Sequence, residues 1–379
     1  MINTQHSIHK LSLIIAICGV LALALALIGA AFDTSLFFKS YLFSYLFWID
    51  LPLGALPMLM IYHLTDGNWG VSTKGILEAL SSSLFPFVIF CLPILFFLDQ
   101  IYPWMDPKLN MEPGVHHQLG HKLGYLNAPA FGVRTGIYFA CWLSLNYFIK
   151  KWSDSRQKLR RLCAGGLFLF ALVTTFASID WQMSVEPNWY STVYGMVFSL
   201  GQVLQSYAFA LVVLGIFVKS GMAFTNPEIF LNTKTLLDVG NILLTLVIVW
   251  AYLSFMQYLI IWSGNLPHEV IWFNHRSGVG WQTLTLILVI FQFSAPFIFL
   301  LFRPSKKNPQ RLALLGGLIV TVRIVDHYWM LMPGFFPHNF NLPWEVFPTW
   351  VGIGGIWLAL FIRKLETKYP NFHVQKQNL

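Results

Sequence analysis

Apolar residues fall into ten runs separated by short polar segments: 11–31, 41–62, 82–101, 128–150, 160–181, 190–218, 234–262, 278–302, 309–331 and 346–362. Runs of roughly 20 apolar residues are the signature of helices that cross a hydrocarbon layer about 30 Å thick. The pattern predicts an all-α integral membrane protein of about ten transmembrane helices. The longest interruption, 102–127, reads as an outer loop with room for short interfacial helices. No segment is long enough for a separate soluble domain, so residues 1–379 read as one polytopic membrane domain. The first run, 11–31, exceeds the 7–15 apolar residues usual in a cleaved signal peptide, so it is expected to stay as a helix.

Spans five and nine resemble each other. "RLCAGGLFLFALVTTFASIDWQM" and "RLALLGGLIVTVRIVDHYWM" both open with Arg-Leu, carry Gly-Gly-Leu, and end near an Asp followed by an aromatic residue or His. Spans three and seven show a weaker likeness at the same offset of four helices. An even offset makes the copies parallel. The expected architecture is two four-helix bundles, spans 2–5 and 6–9, as an internal repeat over about 41–181 and 190–331. Spans one and ten lie outside it. Small residues such as the Gly-Gly pairs also let helices approach closely, with or without a repeat.

Composition sharpens this picture: 56% of residues are hydrophobic and 11% charged, against about 25% charged in a soluble domain. The net charge of +8 raises nucleic acid as a partner, but its distribution argues for topology instead. Of 24 Lys and Arg, 18 fall in one alternating set of loops and four in the other; Arg134 and Arg323 lie within spans. This is the positive-inside pattern and predicts both termini on the cytoplasmic, or equivalent negative, side of the membrane. The basic run at 150–161 is then explained by topology, and no nucleic-acid partner is expected.

Ionisable groups inside the spans are the candidate chemistry, because each costs on the order of 2.5–3.5 kcal/mol at mid-bilayer on insertion scales. Arg323, Asp326 and His327 share one helix face at 3.6 residues per turn. Arg323 or His327 can pair with Asp326. If Arg323 is the partner, neutralising Asp326 would leave a buried cation, at about 3–5 kcal/mol. A carboxylate and an imidazole on one face can carry protons or hydrogen-bond a quinone head group. Arg134, Asp99 and Asp180 lie at a similar level and could gather with this trio, or act as a structural ion pair and as interfacial groups. Asp50 is central in span two beside Pro52, Gly54 and Pro57, so that helix is expected to be kinked or broken. Asp50 then reads either as an ion or proton site or as a group that satisfies the kinked backbone.

Cofactor ligands are scarce. His117 and His121 are spaced i, i+4 without a third ligand, so a metal is not expected. A transmembrane haem needs paired axial ligands, and His327 is the one His clearly inside a span. The four Cys lie in spans without a CxxC pair, so neither disulfides nor an iron–sulfur centre is indicated. The chain is expected to bind no redox centre of its own. A secondary transporter built from parallel repeats, or a purely structural membrane anchor, would satisfy the same features.

Four stretches carry a resemblance: "SYLFWIDLPLGALPMLMIYHLTDGNWG", "SIDWQMSVEPNWYSTVYGMVFSLGQ", "WAYLSFMQYLIIWSGNLPHEVIWF" and "RIVDHYWM". They resemble the polysulfide-reductase-type (NrfD-like) membrane subunits of alternative complex III, in particular the quinone-binding subunit 2 type, over roughly residues 40–360. The resemblance implies ten helices in two bundles and membership of a quinol:cytochrome c oxidoreductase complex. It implies partners: a sibling NrfD-like subunit, an iron–sulfur subunit and multihaem cytochrome c subunits, which hold the clusters and haem c. Quinol or quinone is the implied small molecule, with the sibling as the better quinol site and this chain serving structure or proton movement. Asp180, Glu186, Trp262, Arg323 and Asp326 sit in matching stretches. Asp50 stands where the family leads one to expect a small or apolar residue.

Overall fold

Helices are the regular structure of the described residues, which in the computed structural model are 2–106, 122–220, 232–337 and 339–368. In chain order they are α1 (Ile2–Phe32), α2 (Thr34–Thr65), α3 (Asn68–Ser82), α4 (Pro86–Phe96), α5 (Ala128–Lys151), α6 (Arg156–Trp181), α7 (Tyr194–Lys219), α8 (Thr233–Gly264), α9 (Pro267–Asn274), α10 (Val279–Ile287), α11 (Ala295–Leu301), α12 (Arg303–Lys306), α13 (Pro309–Leu331) and α14 (Val346–Lys368). Eight are long and apolar enough to cross a membrane, α10 and α11 counting as one with the π-helical turn between them; α3 and α4 make a ninth if taken as one bent span. The 24-residue α5, which carries Arg134, falls outside that set. The chain is a multi-pass, all-α membrane protein.

Local chemistry explains where the helices start and stop. Asp33, Asn127, Asn232 and Asn308 each accept a backbone N–H at the head of α2, α5, α8 and α13, satisfying donors that a helix start leaves free. Asp66 and Asn265 end α2 and α8 in the left-handed conformation, at φ 50° and 46°. Short polar side chains tolerate that geometry best after glycine.

Two boundaries differ from the sequence-based reading. Span three was expected to begin at 82, yet α3 starts at Asn68 and bends by 43° into α4. Ser72, Thr73, Lys74 and Glu78 depress the apolar signal of α3, although it buries Trp69, Ile76, Leu77 and Leu80. The bend falls in the break after Ser82, and Pro86 opens α4 at a first-turn position where its missing N–H costs nothing. Of the kink or break expected in span two at its prolines, the break does not occur: α2 runs continuously from Thr34 to Thr65 through Pro52 and Pro57. Near Pro52 a neighbouring helix adds a bond: Gln205 Nε2 of α7 donates to the Phe47 carbonyl at 2.9 Å. Polar side chains of adjacent helices commonly serve backbone groups beside an intramembrane proline.

α2 is the axis of the molecule. Its most apolar window is entirely buried, whereas that of α1 is 17% buried. α2 packs on α3, α4 and α6, with α5 against α6; α7 packs on α8 and α13. The α2–α7 contact joins these two sets, α3 also touches α7, α8 and α14, and α1 lies along α14 at the edge. The α2–α7 approach requires a glycine. A Cβ on Gly54 would sit 2.0 Å from the Gln202 carbonyl oxygen, so any side chain would push α7 away. That close seam places Asp50 of α2 against the polar face of α7 and the ionic face of α13.

Candidate functional site

The trio on α13 faces inward. Arg323, Asp326 and His327 are all buried, and Asp50 is fully enclosed opposite them. Arg323 Nη1 donates to Asp326 Oδ2, the pairing offered by their i, i+3 spacing. Arg323 Nη2 also lies 3.5 Å from Asp50 Oδ2. His327 does not take Asp326 as its partner: its Nε2 is 2.7 Å from Asp50 Oδ2 and 3.0 Å from Arg323 Nη2. Gln202 Nε2 of α7 donates to Asp50 Oδ1 at 2.8 Å. Room for the guanidinium depends on Gly201, where a Cβ would stand 2.5 Å from Arg323 Nη2. The Phe47 ring meets the His327 ring edge-on at 5.7 Å.

Two features govern the charge this cluster holds. Two carboxylates face one guanidinium, so with neutral His327 the site carries one excess negative charge where an uncompensated charge is expensive. A single proton, on His327 or on a carboxyl, makes the site neutral. The proton's place is also decided locally. If Nε2 of His327 carries a hydrogen, it donates to Asp50 Oδ2; if it does not, it accepts, from Arg323 Nη2 or from Asp50 when that carboxyl is protonated. One nitrogen cannot do both. Arg323 Nε, and on α7 the atoms Gln202 Oε1, Gln205 Oε1 and Ser206 Oγ, are buried with no partner in the protein. A cavity of about 10 Å³, room for about one water molecule, is lined by Arg323, Asp326 and His327 together with Gln182, Val197, Phe198 and Met330.

Arg134 and Asp180 meet each other, as a separate site on α5 and α6. Arg134 grips Asp180 with two bonds of 2.8 and 3.0 Å, and Tyr138 donates to the same carboxylate at 2.5 Å. The guanidinium stacks on Tyr125, 3.7 Å from the ring centroid. Burial and the Asp180 charge push the Tyr125 phenol up to about 12. With its carboxylate fully paired, this site reads as a structural clamp. Asp99 joins neither group; it is exposed in the turn Leu98–Gln100 and accepts from its neighbour Gln100 at 2.7 Å. The expected single gathering of outer-half charges is therefore two sites plus a surface residue, because the α4 helix ends at Phe96 and turns Asp99 outward.

A third ionic site was missed by sequence reasoning. Arg276, in the link from α9 to α10, is 3% exposed. It donates to Glu186 Oε1 at 3.2 Å and to the carbonyls of Trp272, Trp329 and Met330 at 2.6, 3.1 and 2.9 Å. Its guanidinium lies 3.4 Å over the Trp272 ring, and His275 Nδ1 is 2.8 Å from Glu186 Oε2. Burial pulls the Arg276 guanidinium below its ordinary value, and Glu186 opposes that shift. The usable signals were Glu186 within the family-like stretch and adjacent His-Arg in a short link between apolar runs. His117 and His121 lie outside the described residues. Among the described residues, no group of three or more His, Cys, Asp or Glu is placed to hold a metal ion.

Searched against family models, the chain matches none, and no curated protein matches it.

Proposed function

We propose that this chain is a membrane subunit of a quinol:acceptor (cytochrome c) oxidoreductase complex, in which it provides structure and a proton site and carries no redox centre of its own. The observation that supports the proton role is the buried Asp50–His327–Arg323–Asp326 cluster, in which two carboxyls and an imidazole surround a single guanidinium. Carboxyls and imidazoles are groups that can exchange a proton. Quinol oxidation releases protons along with electrons, so a subunit beside a quinol site has a use for such a cluster. The electron-transfer part of the reading rests on the four family-like stretches. With it come the expected partners: a sibling NrfD-like subunit, an iron–sulfur subunit and multihaem cytochrome c subunits bearing the clusters and haem c. In the proposed orientation both termini are cytoplasmic, and the face bearing Glu186, Arg276 and the link after α4 is the outer one.

Purification in mild detergent tests the proposal. Co-purifying c-type haem and iron, with quinol-driven reduction of an acceptor, is the expected result. A solitary, colourless protein that takes up solute in liposomes would replace this reading with that of a transporter.

A further inference from the structure

A second, partly open pocket lies where the end of α6 meets the link before α5 and the turn after α6. It holds about 280 Å³, near the lower end of the range for small-molecule sites, about 300–1,000 Å³. Tyr125, Trp189 and Tyr190 give it aromatic walls, and Ile179 and Met183 apolar surface. Among the described residues that line it, Lys122 alone is charged. Its Nζ donates to the Pro187 carbonyl at 2.6 Å and lies 5.4 Å from the Tyr190 ring centroid. An ammonium has three hydrogens to donate, and no carboxylate among the described residues pairs with this one. Burial alone pulls it below its ordinary value. Along α6 the pocket continues as an apolar face. Steps of three or four residues back from Ile179 reach Phe176, Leu172, Leu169 and Phe168, all exposed and on one side of the helix. From 179 to 168 the helix descends about 16 Å at about 1.5 Å per residue. That is about half of a hydrocarbon core of about 30 Å, the depth of one leaflet.

We propose that this pocket seats the head group of an anionic phospholipid, with its phosphate on the Lys122 ammonium and an acyl chain along the Ile179–Phe176–Leu172–Leu169 face of α6. A charge-assisted bond from an ammonium to a phosphate oxygen is among the stronger hydrogen bonds. The apolar face supplies no hydrophobic drive, because the chain lies in hydrocarbon whether bound or free. It lets the chain stay in the bilayer while the head group reaches the ammonium. A head group with a cation of its own fits poorly. No acidic side chain among the described lining residues can receive that cation, and Lys122 repels it. The aromatic walls suit the same depth, since Trp and Tyr concentrate at head-group level. They are also held in place by the protein: Trp189 stacks on Trp272 at 5.0 Å and Tyr190 on His268 at 5.9 Å between ring centroids. A lipid seated there bridges the link before α5 and the turn after α6.

The test is native mass spectrometry of the purified protein, in its complex where one is isolated. The protein is released from micelles holding equal amounts of phosphatidylglycerol and phosphatidylcholine with the same acyl chains. One phosphatidylglycerol retained per chain, in excess over phosphatidylcholine, is expected. Lys122→Gln should weaken its apparent affinity on the order of tenfold, as for one hydrogen bond to a charged group, and Lys122→Arg should keep it. Lys158→Gln removes an exposed cation at the opposite end of α6 and should change nothing. Equal retention in Lys122→Gln, or an equal loss in Lys158→Gln, overturns the site. Phosphatidylcholine retained as well as phosphatidylglycerol overturns it too. The thermal midpoint separates a lipid from a free anion: phosphatidylglycerol should raise it in the parent protein and not in Lys122→Gln, and inorganic phosphate should leave it unchanged. An equal rise with inorganic phosphate would make Lys122 a plain anion site and overturn the lipid. A complex in which a partner helix covers Phe176 and Leu172, with no lipid retained, overturns it as well.

Discussion

Neutralising Arg323 should damage the protein far more than neutralising Asp326, although the two are partners. Arg323 serves both carboxylates of the cluster. At 3.5 Å from Asp50, the gross attraction is about 5 kcal/mol at an effective dielectric of about 20, and the contact with Asp326 is closer still. Arg323→Gln leaves two buried carboxylates with His327 as the one remaining base. The expected loss is about 3–5 kcal/mol, the range for an uncompensated buried charge. Asp326→Asn is different. The guanidinium keeps Asp50, and one carboxylate against one cation is neutral with no proton on His327. The loss should be about 1–3 kcal/mol, as for an imperfectly satisfied buried group. From sequence alone Asp326→Asn was expected to strand a buried cation at about 3–5 kcal/mol; Asp50 removes that expectation. In the double variant Arg323→Gln with Asp326→Asn, Asp50 keeps His327 at 2.7 Å and Gln202 at 2.8 Å. It should therefore be more stable than Arg323→Gln alone. Reversible unfolding in mixed detergent micelles, read as a change in free energy for the three variants, measures the order. Arg323→Gln no worse than Asp326→Asn, or a strictly additive double variant, would refute the shared-cation account.

Four further outcomes follow from the packing. Asp180→Asn breaks a bidentate clamp and should lower stability by about 1.5–3 kcal/mol, as for hydrogen bonds to a charged group; the same unfolding assay reads it. Gly54→Ala places a methyl group against the Gln202 carbonyl and should cost about 1–3 kcal/mol by overpacking, with a lowered thermal midpoint as the sign. Burial holds Lys122 below its ordinary value of 10.5, so the folded state binds fewer protons there than the unfolded chain. Stability should rise with pH as it approaches 10.5, and comparison with Lys122→Met should show that this part of the rise disappears. Reporter fusions within 150–161 and after Arg363 should both read cytoplasmic, and one within 102–127 should read the opposite side; 150–161 outside would invert the proposed orientation.

The apolar runs mark the long helices, because the need to satisfy every backbone group in lipid turns a one-dimensional apolar pattern into a helix. Of the ten runs expected, eight correspond to helices long and apolar enough to cross, or nine if the bent α3–α4 pair is one span, among the described residues. The shared face of Arg323, Asp326 and His327 is equally local, since helix geometry alone sets it. The start of α3 was hidden for the converse reason: its Ser, Thr and Lys lower the apolar signal, while tertiary burial makes it a core helix. Asp50 was visible as a costly residue in span two, but its partnership with His327 and Arg323 was not. That contact depends on how far α2 and α13 are rotated about their axes and on how closely α7 approaches at Gly54 and Gly201. Helix pattern leaves those rotations open. The Glu186–Arg276 clamp is likewise a meeting of two loops distant in sequence. Residue order determined which side chains would be buried at a cost. The packing of α2, α7 and α13 decided which of those charges meet, because an ionic interaction in a low dielectric depends on distances of a few ångströms that only the assembled helices define.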